Sequence, residues 1–256
     1  MGATSRVTRI LLAACLAATA AAVGLFQASA DQQIVGGQRA SIADFSFAVY
    51  LATPDNFQFC GGTLVDDNKV VTAAHCVAGK TPADLVVVAG REDKESGAGV
   101  IAPVREIWMH PEFKDVRSGS DVALLTLETR LPYESLPLVG ADEVEAYAAG
   151  QQGLILGWGR TAADGQPSRY LLQATVPVMA DAECVKSYPA YLAASMTCAG
   201  VPQGGVDSCQ GDSGGPFIVA GRLVGITSWG EGCAAPGKPG VYTRLSTYAA
   251  LLEEQI

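Results

Sequence analysis

The 256-residue sequence predicts an all-β fold, and three observations carry that expectation. Short runs rich in valine, isoleucine and leucine recur at the spacing of β-sandwiches and barrels. Glycine and proline punctuate them, with 29 glycines and 13 prolines in the sequence. Helical periodicity is scarce. In chain order, strands are expected at 47–51, 63–65, 70–72, 85–89, 123–127, 153–156, 174–178, 217–219, 223–227 and 240–244. Several are β-branched, which suits a pleated, half-buried surface. The stretch 132–149 reads as a link between two halves. The last residues, from Thr247 through Leu251 and Leu252, read as a terminal helix. No internal repeat is visible.

The first thirty residues read as an export signal. Arg6 and Arg9 precede an apolar, alanine-rich stretch from Ile10 to Phe26, and Ala28-Ser29-Ala30 is a small-residue cleavage site. The stretch lies at the short edge of what spans a bilayer, so a cleaved signal is expected rather than an anchor. It has no twin arginine, so the general secretory route is expected. No other apolar stretch is long enough to cross a membrane. Removing residues 1–33 takes away Arg6, Arg9 and Asp31, which moves the net charge from −9 to −10. An acidic surface argues against a nucleic-acid partner.

Cys15 leaves with the signal. Cys60, Cys76, Cys184, Cys198, Cys209 and Cys233 remain. An even number of cysteines in an exported chain reads as three disulfides, and counting alone leaves the connectivity open. A zinc site is a weak competitor, because the chain has no Cys-x-x-Cys pair and only two histidines.

The run Gly211-Asp212-Ser213-Gly214-Gly215-Pro216 is the most informative one in the chain. A serine hydroxyl becomes a strong nucleophile when a base takes its proton and backbone N–H groups await the oxyanion. Glycines let the backbone approach a substrate closely. His75 and His110 are the two candidate imidazole bases. His110, before Pro111, reads as part of a surface turn. His75 stands beside Cys76, and a disulfide there would hold the ring in place, as a catalytic ring requires. Asp121 stands before an apolar run, where a buried carboxylate needs hydrogen-bond donors. An imidazole N–H and the hydroxyl of Ser228 would serve.

Six motifs occur in order: Ile34-Val35-Gly36-Gly37, Thr72-Ala73-Ala74-His75-Cys76, Asp121-Val122-Ala123-Leu124-Leu125, the Ser213 run, Ser228-Trp229-Gly230 and Lys238-Pro239-Gly240-Val241-Tyr242. With them, residues 34–256 resemble the trypsin-like serine peptidases of the chymotrypsin family. The resemblance implies two packed antiparallel six-stranded β-barrels with a C-terminal helix. Barrel one would cover about 34–140, barrel two about 141–246 and the helix about 247–256. It implies that His75 is the general base, Asp121 the carboxylate that fixes its tautomer, and Ser213 the nucleophile. The N–H groups of Gly211 and Ser213 would form the oxyanion hole. The order His, Asp, Ser differs from that of subtilisins and α/β-hydrolases. The latter also use a Gly-x-Ser-x-Gly turn, but the sequence lacks their alternating strand and helix signals.

The same resemblance pairs Cys60 with Cys76, Cys184 with Cys198, and Cys209 with Cys233. It places Asp207 at the base of the primary pocket, facing an Arg or Lys side chain of the substrate. Ser228, Trp229, Gly230 and Gly240 would line that site, with the substrate backbone added as a strand. It makes a free Ile34 terminus the partner of Asp212 and hence the activation switch of a zymogen. Gln33 departs from the Arg or Lys that a trypsin-activated zymogen carries. Signal removal after Ala30, then trimming of 31–33 by another peptidase, is therefore expected. Relatives often hold calcium near 91–97. Here that stretch is short and mixes acids with bases, so it reads as a solvated loop and no cofactor is expected. The implied partners are polypeptide substrates and protein protease inhibitors, with no nucleic acid and no membrane, and the protein would be a secreted monomer. The rival reading is a non-catalytic homologue that serves as a binding module.

Overall fold

The computed structural model describes residues 34–256. The expected export signal and pro-segment lie outside the described residues. Thirteen strands are present among these residues: β1 Gln38–Arg39, β2 Ala48–Ala52, β3 Gln58–Asp66, β4 Lys69–Thr72, β5 Val86–Ala89, β6 Val100–Met109, β7 Ala123–Leu127, β8 Gln152–Gly157, β9 Leu172–Pro177, β10 Met196–Ala199, β11 Pro216–Val219, β12 Arg222–Trp229 and β13 Gly240–Arg244. Three short helices accompany them: α1 Ala74–Val77, α2 Asp181–Ser187 and α3 Ala249–Glu253. No helix among the described residues is long and apolar enough to cross a membrane.

The first six strands after β1 form a closed antiparallel barrel in the order β2-β3-β4-β7-β6-β5. Closure removes every unpaired sheet edge. Strands β2 and β7, AVYLA and ALLTL, are buried at every residue, which is why they read as unbroken apolar runs. The later strands form a curled half-barrel. With β1 at one edge its order is β1-β9-β8-β11-β12-β13-β10. The end of β9 meets the end of β10 through a Val178–Ala199 bridge. The Met179 N–H donates to the Cys198 carbonyl at 2.9 Å there, and the Gly200 N–H to that of Pro177 at 3.0 Å. One apolar core runs through both halves. Tyr50 of β2 meets Trp158, just after β8, edge to face at 5.1 Å, and both rings are buried.

Strands β1, β6 and β10 were not expected from the sequence. In β6 the pattern is broken by Pro103 and by the charged Arg105 and Glu106, which point outward while Ala102 and Val104 are buried. Strand β1 is two residues long and leaves the first half to pair with β9. The stretch 132–149 is indeed irregular between β7 and β8, apart from a 3₁₀ turn at Val144–Tyr147. The Tyr147 hydroxyl pins it to β12 through the Val224 carbonyl at 2.8 Å. The terminal helix is shorter than expected, because a 3₁₀ turn at Leu245–Tyr248 precedes α3.

The three disulfides are Cys60–Cys76, Cys184–Cys198 and Cys209–Cys233. Cys184 and Cys198 are both fully buried, in a small cluster with Tyr188, Tyr191, Met196 and Val241 that joins α2 to β10. Closing a loop with a sequence separation of 14 stabilises by about 3 kcal/mol. Replacing both cysteines by alanine is therefore expected to lower the Tm by about 6–12 °C, at roughly 2–4 °C per kcal/mol. Thermal melts in a Ser213→Ala background, which prevents self-digestion, check this.

Candidate active site

His75 lies in α1, at the end of β4, and Cys76 ties that turn to β3. Asp121 precedes β7, the neighbour of β4 in the barrel, so the register of two adjacent strands brings the pair together. The Asp121 carboxylate is 2 % exposed and accepts three hydrogen bonds. The His75 backbone N–H donates to Oδ1 at 2.9 Å, and His75 Nδ1 lies 2.8 Å from Oδ2. The Ser228 hydroxyl, from β12 of the other half, donates to Oδ2 at 2.5 Å. Thr243 of β13 also donates to the Asp121 carbonyl at 2.8 Å. With a proton on Nδ1, Nε2 of the ring is left as a base.

Ser213 stands on the turn between the Cys209 segment and β11, packed on the His75 strand end. Its carbonyl accepts from the Gly61 N–H at 2.7 Å. Cys76 Sγ lies 3.6 Å from that carbonyl and 3.8 Å from His75 Nε2, so one sulfur sits between the histidine and the serine segment. The turn fits only because Gly214 follows. It has φ +81°, and a Cβ there would come within 2.3 Å of Thr72 Oγ1 and 2.5 Å of the Gly61 carbonyl. His110 lies elsewhere, buried between Trp108 and Tyr248, and accepts from the Glu112 N–H through Nδ1. It is a core residue rather than the exposed turn residue expected.

Beside Ser213 opens a cavity of about 190 Å³, lined by Asp207, Gln210, Ser213, Ser228, Trp229, Gly230, Gly240 and the Cys209–Cys233 bridge. Asp207 is 4 % exposed. Burial pushes its carboxyl up to about 7, although the N–H groups of Ala234 and Ser208 donate to it and oppose the rise. The walls explain two glycines. A Cβ at Gly240 would come within 2.6 Å of Asp207 Oδ1. At Gly230 a Cβ would touch only the Pro239 carbonyl and Gly240 Cα, at 3.9 and 4.0 Å. Local packing therefore tolerates a side chain at Gly230, but one there would stand in the cavity.

Asp212 is buried and accepts from the Gly159 N–H at 2.7 Å and the Cys209 N–H at 2.9 Å. Burial pushes its carboxyl up to about 6. Ile34 is fully buried, with the left-handed φ of +48°, a costly conformation for a β-branched residue. Val35 then bridges to Asp207, whose N–H donates to the Val35 carbonyl at 3.2 Å. The start of the described chain thus docks on the segment that carries the pocket acid.

A family model for trypsin matches residues 34–252 of this two-part β fold. The chain belongs to the trypsin family. It is 52% identical over 223 residues to a trypsin of Saccharopolyspora erythraea, a match covering 87% of this chain and 98% of that protein. The trypsin of Sus scrofa is 37% identical over 243 residues, covering 90% and 99%. Trypsin eta of Drosophila melanogaster is 37% identical over 245 residues, covering 91% and 93%. The chain is a trypsin-like serine endopeptidase that acts on polypeptides.

Trypsin-family membership raises the question of a cation at 91–97, and the residues here do not fit one. Arg91 is buried, not solvated as the sequence suggested, and its guanidinium donates to the Ala98 carbonyl inside the loop. The acids are committed elsewhere. Glu92 pairs with Arg39 and accepts from the Ile42 N–H, and Arg169 holds both Asp93 and Glu95. The His75, Cys60 and Cys76 group offers no metal site either, since both sulfurs are in a disulfide.

Sequence reasoning missed three residues at this trypsin-family site. They are Thr72, whose hydroxyl holds the Gly61 carbonyl at 2.8 Å, and Gln58 and Lys94 behind the Ser213 turn. Thr72 lies in the His75 motif, but its partner is on the adjoining strand 11 residues back, and Gln58 and Lys94 reach partners 153 and 36 residues away, so no spacing within a motif marks these roles.

Proposed function

We propose that this endopeptidase cleaves after Arg or Lys by the triad His75, Asp121 and Ser213. The observation that carries the reading is the joining of Ser213 and the buried Asp207 in one cavity, alongside the hydrogen-bonded His75–Asp121 pair. Ser213 Oγ attacks the scissile carbonyl carbon, and its proton passes to His75 Nε2. The tetrahedral oxyanion is held by the N–H groups of Gly211 and Ser213. The C–N bond breaks, His75 gives the proton to the leaving amine, and an acyl ester on Ser213 remains. Water repeats the sequence and frees the acid. Asp121 holds the imidazole tautomer throughout. Asp207 binds the cationic side chain, and Trp229 and Gly230 hold the substrate backbone.

The reading extends to activation. A terminal ammonium at Ile34 would pair with Asp212 and relieve the cost of its burial, which shapes the Gly211–Ser213 loop. The three disulfides suit secretion into an oxidising compartment. The active protein is proposed to be a secreted monomer that begins at Ile34 and is released by another peptidase because of Gln33. A mechanism-directed phosphonate ester of arginine is expected to inactivate it with one label per chain, on Ser213. Labelling at another residue would overturn the assignment. We also propose that no calcium is needed. Added calcium or a chelator is expected to leave the Tm within about 1 °C, and a rise lost in Glu92→Gln would contradict that.

A further inference from the structure

Behind the Ser213 turn lies a group that the mechanism above does not use. Lys94 is half-buried, although its neighbours Asp93 and Glu95 face outward to Arg169. Its Nζ lies 2.6 Å from Gln58 Oε1 and 3.4 Å from the Trp158 carbonyl. Each acceptor leads to the oxyanion loop. Gln58 Nε2 donates to the Gly211 carbonyl at 2.9 Å. That carbonyl belongs to the 211–212 peptide, which lies between the two N–H donors. The Trp158–Gly159 peptide, polarised at its carbonyl by Lys94, donates its N–H to Asp212 Oδ1 at 2.7 Å.

We propose that Lys94 is a positioning residue for the oxyanion hole, acting on Gly211 through Gln58 and on Asp212 through the Trp158–Gly159 peptide. The inference rests on the reading of the Gly211 and Ser213 N–H groups as that hole. Two features favour a functional over a merely structural role. Burying a lysine ammonium costs free energy unless it is paired and hydrogen-bonded, and the acceptors that meet that need here are both tied to the oxyanion loop. Here burial pushes the ammonium down to about 8, while Asp212 pulls it back up. Both hydrogen-bonded chains also end within one residue of each other on the same loop. Hydrogen bonds from a charged donor are stronger than neutral ones, so the loop is held before substrate arrives.

The test uses protein that begins at Ile34. Lys94→Met keeps the apolar stem and removes the charge. It is expected to lower kcat on an arginine peptide amide about tenfold, less than the 10²–10³ for deleting an oxyanion donor itself. KM and the affinity for benzamidine should stay within twofold. Affinity for an arginine peptide aldehyde, which forms a tetrahedral adduct, should fall with kcat. Gln58→Leu, which breaks one of the two chains, should show a loss no larger than that of Lys94→Met, and the double variant should be within twofold of Lys94→Met alone, because Gln58 relays part of the lysine's effect. Lys94→Arg should recover most of the turnover. Unchanged kcat and aldehyde affinity in Lys94→Met would overturn the proposal, as would multiplied losses in the double variant. If Lys94→Met changes only the Tm, the lysine is structural and the proposal fails. A wild-type protein that neither turns over amides nor binds the aldehyde would instead overturn the active-site reading beneath it.

Discussion

Ser213→Ala is expected to lower kcat on arginine peptide amides about 10⁶-fold, the scale seen when a member of a cooperating triad is removed. KM is expected to change little. The reason is geometric. Ser213 lines the cavity but is not needed to fill it, and the Asp207 end is formed by other segments. The loss should not be deepened by also changing His75. Once the nucleophile is gone, the base has no proton to take, so Ser213→Ala/His75→Ala should be no slower than Ser213→Ala alone. Steady-state kinetics with protein of verified amino terminus, beside melts showing the fold intact, check both. Losses that multiply in the double variant would mean that the two residues do not act as a unit.

The second large effect is on selectivity. Asp207→Ser is expected to cut kcat/KM for arginine and lysine amides about 10⁴-fold, because a cationic side chain would enter the cavity and meet no opposite charge. Amides ending in Phe or Leu should lose nothing. A pH signature accompanies this. Burial raises the Asp207 carboxyl to about 7 in the free pocket. Below that pH the carboxyl is protonated and neutral, and a cationic guest must displace the proton. KM for arginine amides should therefore rise as pH falls through about 7, and level off above it. In Asp207→Ser this dependence of KM should vanish. A KM that is flat with pH in the wild type would show that Asp207 does not hold the guest.

Much of this was legible in the chain, for local reasons. Val, Ile and Leu runs between glycines and prolines mark most strands, because β2, β4, β5 and β7 are buried on both faces. Ser213 stands out because its turn needs glycines around it, and His75 because a cysteine adjoins it. Asp207 was legible only in register with the resemblance, since Gly-Val-Asp-Ser alone is an ordinary loop. Strand β6 was hidden by Pro103 and by charges on its outer face. The loop at 91–97 looked solvated because its composition is charged. Its Arg91 is nevertheless buried, since the guanidinium satisfies a backbone carbonyl of its own loop. Lys94 and Gln58 left no trace at all. The bond from Gln58 to Gly211 spans 153 residues, and no spacing rule reaches that far.

The central claim is that one cavity joins a serine nucleophile to a carboxylate that selects cationic side chains. The most direct measurement is kcat/KM on otherwise identical peptide amides ending in Arg, Lys, Phe or Leu, with protein beginning at Ile34 and with its Ser213→Ala variant. Arg and Lys are expected to exceed Phe and Leu by about 10⁴-fold, and turnover in the variant to fall about 10⁶-fold. Equal turnover of Phe or Leu amides would contradict the role of Asp207. Turnover that stays near the wild-type rate in Ser213→Ala would contradict the nucleophile.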